Sequence, residues 1–400
     1  MAEDSDAEDN QLFEESEATT SEEEESEENY DPNEAAQHLY LSSLGTLSYR
    51  DTTDLIEPGT EVKVMVFLVE TMVLPFEEIP VNVTGVMYEE VSQYLQNGQI
   101  GFITLAMHDD GSSSIAHNVG VLGNLTRVID KNNGFALVGL CRQRFAVVNE
   151  IRHESIRTSD DIVVSWVNSL LVKVLPDTEP NVLMMDQSST VAKYKGDDRR
   201  QYFEYLYGIP SQILYTNDVS YFTGNLIKWF SKFFSEQKLK NELEKGVVSF
   251  SYWVARSLPI DNSMKYKMLE EYSTLDRIVV AWKTAQRMNS FACVDCKEVK
   301  FRINDIFTVM PSNLSAQFVN PHGYVHEMFT SHKMYGIRVS SHSSLQDSWF
   351  PGYSWSILNC NTCLRHIGWL FKNNRRQPNT FYGVTRQAIE VVIDKPVEEE

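Results

Sequence analysis

Four of the five cysteines form two pairs, Cys293-x-x-Cys296 and Cys360-x-x-Cys363, with 63 residues between the pairs. A two-residue spacer lets both thiolates of a pair turn toward one ion at about 2.3 Å, and a second pair completes a tetrahedron. Two other chemistries use the same residues. A pair of structural disulfides needs an oxidising compartment, whereas the acidic N-terminal stretch lacks the apolar segment of a secretory leader. A redox pair of the thioredoxin type accounts for one motif and leaves the other unexplained. The expectation is one structural zinc ion on Cys293, Cys296, Cys360 and Cys363. Four thiolates leave no coordination position for water, and binding of this kind stabilises a fold by about 10 kcal/mol. Cys141 has no catalytic motif around it and reads as a buried apolar residue.

Between and just after the knuckles the chain concentrates Asn320-Pro321-His322-Gly323-Tyr324-Val325-His326, then Ser348-Trp349-Phe350-Pro351-Gly352-Tyr353-Ser354-Trp355, then Gly368-Trp369-Leu370-Phe371. Trp349, Trp355 and Trp369 near one metal-pinned fold suggest an aromatic cage. Indole faces accept flat or cationic guests, and neighbouring backbone groups set the hydrogen bonds. The guest would be a small planar ring with polar edges or a methylated ammonium. The plainer reading is that one or two of these tryptophans build the core; the Pro351-Gly352 step favours a turn that presents side chains. His322 and His326 stand at i and i+4, but Pro321 and Gly323 put them on a loop rather than a metal-binding helix.

Several chemistries find no motif. The chain has no G-x-x-x-x-G-K-[ST] phosphate loop, no G-x-S-x-G elbow and no H-E-x-x-H, so a binding protein is expected rather than an enzyme. The formal net charge of −21 is uneven: residues 1–33 hold 15 acidic and no basic side chains, against 41 acidic and 35 basic in the remainder. The acidic head is too poor in apolar surface to offset the entropy of ordering, and it speaks against nucleic-acid binding. No apolar run approaches the ~20 residues of a membrane span, so a soluble, intracellular chain is expected.

The elements that position these motifs fall into an α+β, multidomain pattern. Alternation and apolar runs predict strand, turn and strand over Glu61–Val83, a helix at Glu89–Asn97, and strands at Ile100–Ala106, Asn118–Leu122, Ala136–Leu140 and Arg144–Asn149: a β-rich domain of small-barrel type with one helix. From about Gly196 the period becomes helical. Leu226, Trp229, Phe230 and Phe233 share one helix face, Leu269–Arg287 offers a second amphipathic run, Tyr202–Tyr207 is aromatic, and Asp261 reads as a helix cap.

Four runs resemble the cereblon family: Asn320–Glu327, Ser348–Trp355, His366–Phe371 and Phe381-Tyr382-Gly383-Val384-Thr385-Arg386. Glu61–Val83 resembles the opening of the Lon-protease N-terminal domain that this family carries, and Gly139–Phe145 and Phe250–Asp261 resemble further family segments. The resemblance implies a disordered acidic head at 1–50, a Lon N-terminal-like domain at 51–287 whose helical part (about 155–287) docks an adaptor, and an all-β zinc-binding CULT domain at 288–396. It implies a substrate receptor without catalysis of its own in a cullin-RING ubiquitin ligase, acting in the nucleus and also the cytoplasm. Its partners would be the damaged-DNA-binding-protein adaptor of cullin four, ubiquitination substrates and small cyclic imides, with no nucleic acid and no membrane. The imide would sit between Trp349, Trp355 and Trp369, bonded to backbone at Asp347 and Trp349, over Phe371, with Asn320, His322, Tyr324 and His326 at the rim. Asp347 stands where vertebrate members carry His, and Ile357 where drug-responsive members carry Val. Imide binding is expected to survive these changes, and drug-driven recruitment of foreign proteins to be weak. The rival reading of the same cage is a methyl-ammonium reader without a ligase role.

Overall fold

A computed structural model describes residues 28–29, 38, 46–49, 54–69, 71–84, 99–107, 113–131, 134–157, 163–178, 198, 201, 219–308, 313–321 and 324–393. The helix expected at Glu89–Asn97, the aromatic segment Tyr202–Tyr207 and the rim residue His322 lie outside them.

Strand β1 (Glu28–Asn29) is followed by β2 (Thr46–Tyr49), β3 (Glu61–Val69), β4 (Glu78–Thr84), β5 (Gln99–Met107), β6 (Ser113–Ile115), β7 (Val119–Lys131), β8 (Gly134–Arg157) and β9 (Val163–Val174). β3 pairs with β5 and β9, β9 with β8, β8 with β7 and β7 with β5, so five strands close a ring. β2 extends it at β7, β4 at β8 and β6 at β5. The unbroken apolar run of β3 follows from burial on both faces. Val64, Val66 and Leu68 enter one cluster with Phe145 and Val172, while Met65, Phe67 and Val69 enter the main core.

Two expectations are corrected here. Within the stretch 1–50 expected as a disordered head, Thr46–Tyr49 pairs with Arg127–Asp130 and His38 is buried against Phe318, so these residues of it pack on the fold. Within the part expected to be helical from about 155, β8 runs on to Arg157 and β9 occupies Val163–Val174. The β-branched and aromatic run Val163-Val164-Ser165-Trp166-Val167 carried that signal.

Five helices follow: α1 (Val219–Phe230), α2 (Glu236–Glu244), α3 (Val247–Ser257), α4 (Asn262–Glu270) and α5 (Thr274–Ala285). Leu226, Trp229 and Phe230 are buried on one face of α1; Phe233 packs from the turn beyond its end. The single run expected over Leu269–Arg287 is two helices, because Ser273 caps α5 through the Asp276 N–H. Asp261 caps α4 through the Met264 N–H, as expected. Among the described residues no helix is long and apolar enough to cross a membrane.

The rest is β-structure: β10 (Met288–Cys293), β11 (Val299–Arg302), β12 (Ile306–Phe307), β13 (Ser315–Val319), β14 (Val325–Ser331), β15 (Ile337–Val339), β16 (Ser354–Cys360), β17 (His366–Lys372), β18 (Arg376–Gln377), β19 (Thr380–Thr385) and β20 (Ile389–Ile393). β11, β10 and β20 form a small sheet; β12, β14, β19, β17, β16 and β15 form a larger one, with β13 added at β14. β1 lies parallel to β18. One apolar core joins barrel, helices and small sheet, from Phe67 and Phe102 through Trp253 and Ile278 to Phe291 and Ile389. A separate aromatic cluster of Phe318, Trp349, Phe350, Tyr353, Phe371 and Phe381 supports the large sheet.

Candidate functional site

The two cysteine pairs converge. Cys293 Sγ and Cys363 Sγ lie 3.5 Å apart, as do Cys296 Sγ and Cys360 Sγ, and all four sulfurs fall within 4.8 Å of one another. Metal–sulfur bonds of about 2.3 Å in a tetrahedron require sulfur separations near 3.8 Å, whereas a disulfide requires about 2.05 Å. The residues fit one four-coordinate metal ion and exclude the disulfide reading.

The knuckles share one design. In the first, the Lys297 N–H donates to Cys293 O and the Cys293 N–H to Glu298 O; in the second, the Leu364 N–H donates to Cys360 O and the Cys360 N–H to Arg365 O. Lys297 and Leu364, each just after the second cysteine, take left-handed φ of 62° and 63°. Burial disfavours a Cys360 thiolate, but the Cys363 N–H, the Lys300 ammonium and the Thr362 N–H outweigh it and bring that thiol down to about 6.

The second knuckle ends β16 and begins β17, the strands that carry the pocket. Trp355 faces Phe371 and Ile357 faces Trp369 as cross-strand pairs. Trp349 arrives from the preceding turn and meets Trp369 edge to face, ring centres 4.7 Å apart at 75°. Trp355 makes no ring contact with either, among the described residues, and the space between them is open. Its indole N–H donates to Gln346 O and that of Trp349 to Val319 O, so both polar ends are spent and apolar faces line the cavity.

The cavity measures about 460 Å³, within the range of small-molecule sites. Trp349, Trp355, Trp369 and Phe371 wall it, with Asn320 and Asp347 also on its lining. Of the residues expected at the rim, His326 lines the cavity; Tyr324 stands exposed beside the mouth, its N–H bonded to Asn320 Oδ1 at 2.9 Å. Pro321, Ile357 and His366 complete the lining. No role for His366 was evident in the sequence, because strict alternation from Trp369 and Phe371 would send Ile367 to the pocket. A bulge intervenes: Leu358 pairs with Gly368 and Asn359 with His366, skipping Ile367. Gly368 permits it, since its φ is 155° and a Cβ there would meet Gly383 O at 2.0 Å.

His326 packs on both Trp349 and Trp369, and His366 on Trp369. Burial, and then repulsion from His366, push His326 down to about 4; burial likewise lowers His366. Both imidazoles are neutral at pH 7.

A β-sheet module with a four-cysteine cluster that fits a metal ion and a tryptophan-walled pocket, joined to a β-barrel and helix platform, is the class that this fold and site define. The comparisons give it a relation. The chain is 23% identical to protein cereblon of Drosophila melanogaster over 378 residues, 90% of this chain and 62% of that one. It is 35% identical to protein cereblon of Gallus gallus over 158 residues, 38% of this chain and 36% of that one. No family model matches the chain. Among solved structures, the N-terminal domain of Mycobacterium avium complex Lon protease aligns with 56% of this chain and 98% of its own, at 13% identity and a TM-score of 0.34. The chain is thus a relative of cereblon along nine-tenths of its length, and it spans less than two thirds of the curated relatives it matches.

Proposed function

We propose that this chain is the substrate-recognition subunit of a cullin-RING ubiquitin ligase, capturing proteins or small molecules that present a cyclic imide and catalysing nothing itself. The observation that carries the reading is the slot between Trp355 and the Trp349–Trp369 pair. Its indole N–H groups are spent on Gln346 and Val319, so a guest is held by ring faces and recognised along its edges by backbone. A flat imide with one N–H and two carbonyls suits that division. Zinc is the ion for the four thiolates and ties the ends of β16 and β17 beneath the slot. The helices α1–α5 supply the surface for the damaged-DNA-binding-protein adaptor of cullin four, and the chain works in the nucleus and the cytoplasm. The ligase supplies ubiquitin transfer; this chain supplies proximity.

Titration of the full zinc-loaded chain with glutarimide tests the reading through tryptophan fluorescence. Saturable quenching, lost in Trp355→Ala at unchanged zinc content, is the expected result. A folded, zinc-loaded chain that shows no response to glutarimide but is quenched by a trimethyl-lysine peptide would replace the imide reading with the methyl-ammonium one.

A further inference from the structure

Asp347 is the one carboxylate or cation among the cavity's lining residues. It forms no ion pair or hydrogen bond among the described residues, whereas around the cysteine knuckles Glu298 pairs with Lys300 and Asp295 with Arg365. Its place is fixed by its neighbours rather than by its own side chain. On one side Ser344 and Trp355 exchange backbone hydrogen bonds and the Trp355 indole holds Gln346 O; on the other the Trp349 indole holds Val319 O. The turn between them brings Asp347 to a left-handed φ of 56°, a conformation that Asp tolerates better than most residues. The result is an exposed carboxylate, unpaired among the described residues, on the lining of an aromatic pocket that Asn320 and Pro321 also line.

We infer that Asp347 makes this pocket select, among cyclic-imide ligands, those whose substituent at the mouth is a cation: a peptide ending in a cyclic imide with Lys or Arg immediately before it. The inference rests on the imide reading above and adds a specificity to it. The ring fills the slot, and the preceding residue emerges where the carboxylate stands. An ammonium or guanidinium there gains Asp347 and the partly exposed face of Trp355, and an acidic residue meets repulsion. Exposure limits the effect to about threefold to fivefold in affinity for Lys over Gln, and about tenfold for Lys over Glu at low salt.

The test uses the full zinc-loaded chain and three peptides that end in the same glutarimide and differ only in the preceding residue, Lys, Gln or Glu. Asp347→Asn is the variant, because Asn also tolerates the left-handed φ. Tryptophan quenching should rank Lys above Gln above Glu, and the spread should shrink to less than about twofold in Asp347→Asn and in 0.5 M salt. Equal affinities for the three peptides overturn the inference and leave the imide reading standing. The same ranking retained in Asp347→Asn also overturns it, by assigning the preference to another group. If no imide peptide binds a folded, zinc-loaded chain, the imide reading itself fails and takes the inference with it.

Discussion

Leu364 and Lys297 hold the same backbone position in their knuckles, and neither has the residue type that position favours. A left-handed φ costs a non-glycine residue about 1–2 kcal/mol, and Leu364 is 53% exposed, so its side chain offers little packing in return. Leu364→Gly is expected to stabilise the zinc-loaded chain by up to about 1 kcal/mol after the entropy of glycine in the unfolded state is counted. Denaturant midpoints with zinc present measure it, and a fall in midpoint would mean that the Leu364 side chain is needed for the knuckle. His326 makes a second prediction at this scale. Its imidazole titrates near 4 when folded and near 6.5 when unfolded. Between those values the unfolded chain holds more protons, so stability is present above about 6.5 and is lost as pH falls toward 4. His326→Leu should make the denaturant midpoint less sensitive to a step from pH 7 to pH 5.5. An unchanged sensitivity would place the proton uptake on other groups.

At the scale of elements, a buried arginine hub fastens the helices to the barrel. Arg144 of β8, 0% exposed, donates to the carbonyls of Leu269, Glu271 and Pro176 and pairs with Asp177 at 2.9 Å. Arg277 of α5 lies over the Tyr252 ring at 3.9 Å, and the Tyr252 hydroxyl donates to the same Asp177. Removing Arg144 strips the Leu269 and Pro176 carbonyls of this donor and Asp177 of its nearer cation, so Arg144→Met should cost about 3–5 kcal/mol in urea unfolding, far above an ordinary surface change. A cost below about 1 kcal/mol would mean that water substitutes for the guanidinium. In the sequence Arg144 only opens the strand expected over Arg144–Asn149, because its partners are remote: Pro176 lies 32 residues on beside Asp177, and Leu269 and Glu271 lie 125 and 127 residues on, at α4 and the turn after it. What was legible depended on range in this way. The apolar run of β3, the capping of α4 by Asp261, the thiolate spacing and the three tryptophans are local signals. The bulge that swaps His366 for Ile367 answers to tertiary pairing.

Across the whole molecule, barrel, helices and large sheet meet at a seam of buried charge. Lys265 of α4 and Glu327 of β14, each with a side chain 2% exposed, form an ion pair, and Ser315 Oγ donates to the same Glu327 oxygen at 3.0 Å. Arg386 reaches from beyond β19 to Ile260 O, and Gln317 of β13 donates to Glu77 of the barrel at 3.3 Å. Burial raises Glu77 and lowers Arg256, whose guanidinium donates to Phe76 O, so the seam holds its charges against a solvation penalty. Ion pairs of this kind add little over an apolar isostere, but breaking one is costly. They therefore act on alignment: an apolar seam would tolerate sliding, while a lysine and a carboxylate must meet. Lys265→Met alone should cost about 3–5 kcal/mol, and Lys265→Met with Glu327→Gln should recover most of it, a coupling of at least about 1.5 kcal/mol in a double-mutant cycle. Read by urea unfolding with zinc present, additive losses would mean that the two side chains are solvated separately and that the apolar core alone sets how the sheet sits on the barrel. A strong coupling would make the seam the device that holds the pocket-bearing sheet in register with the platform beneath it.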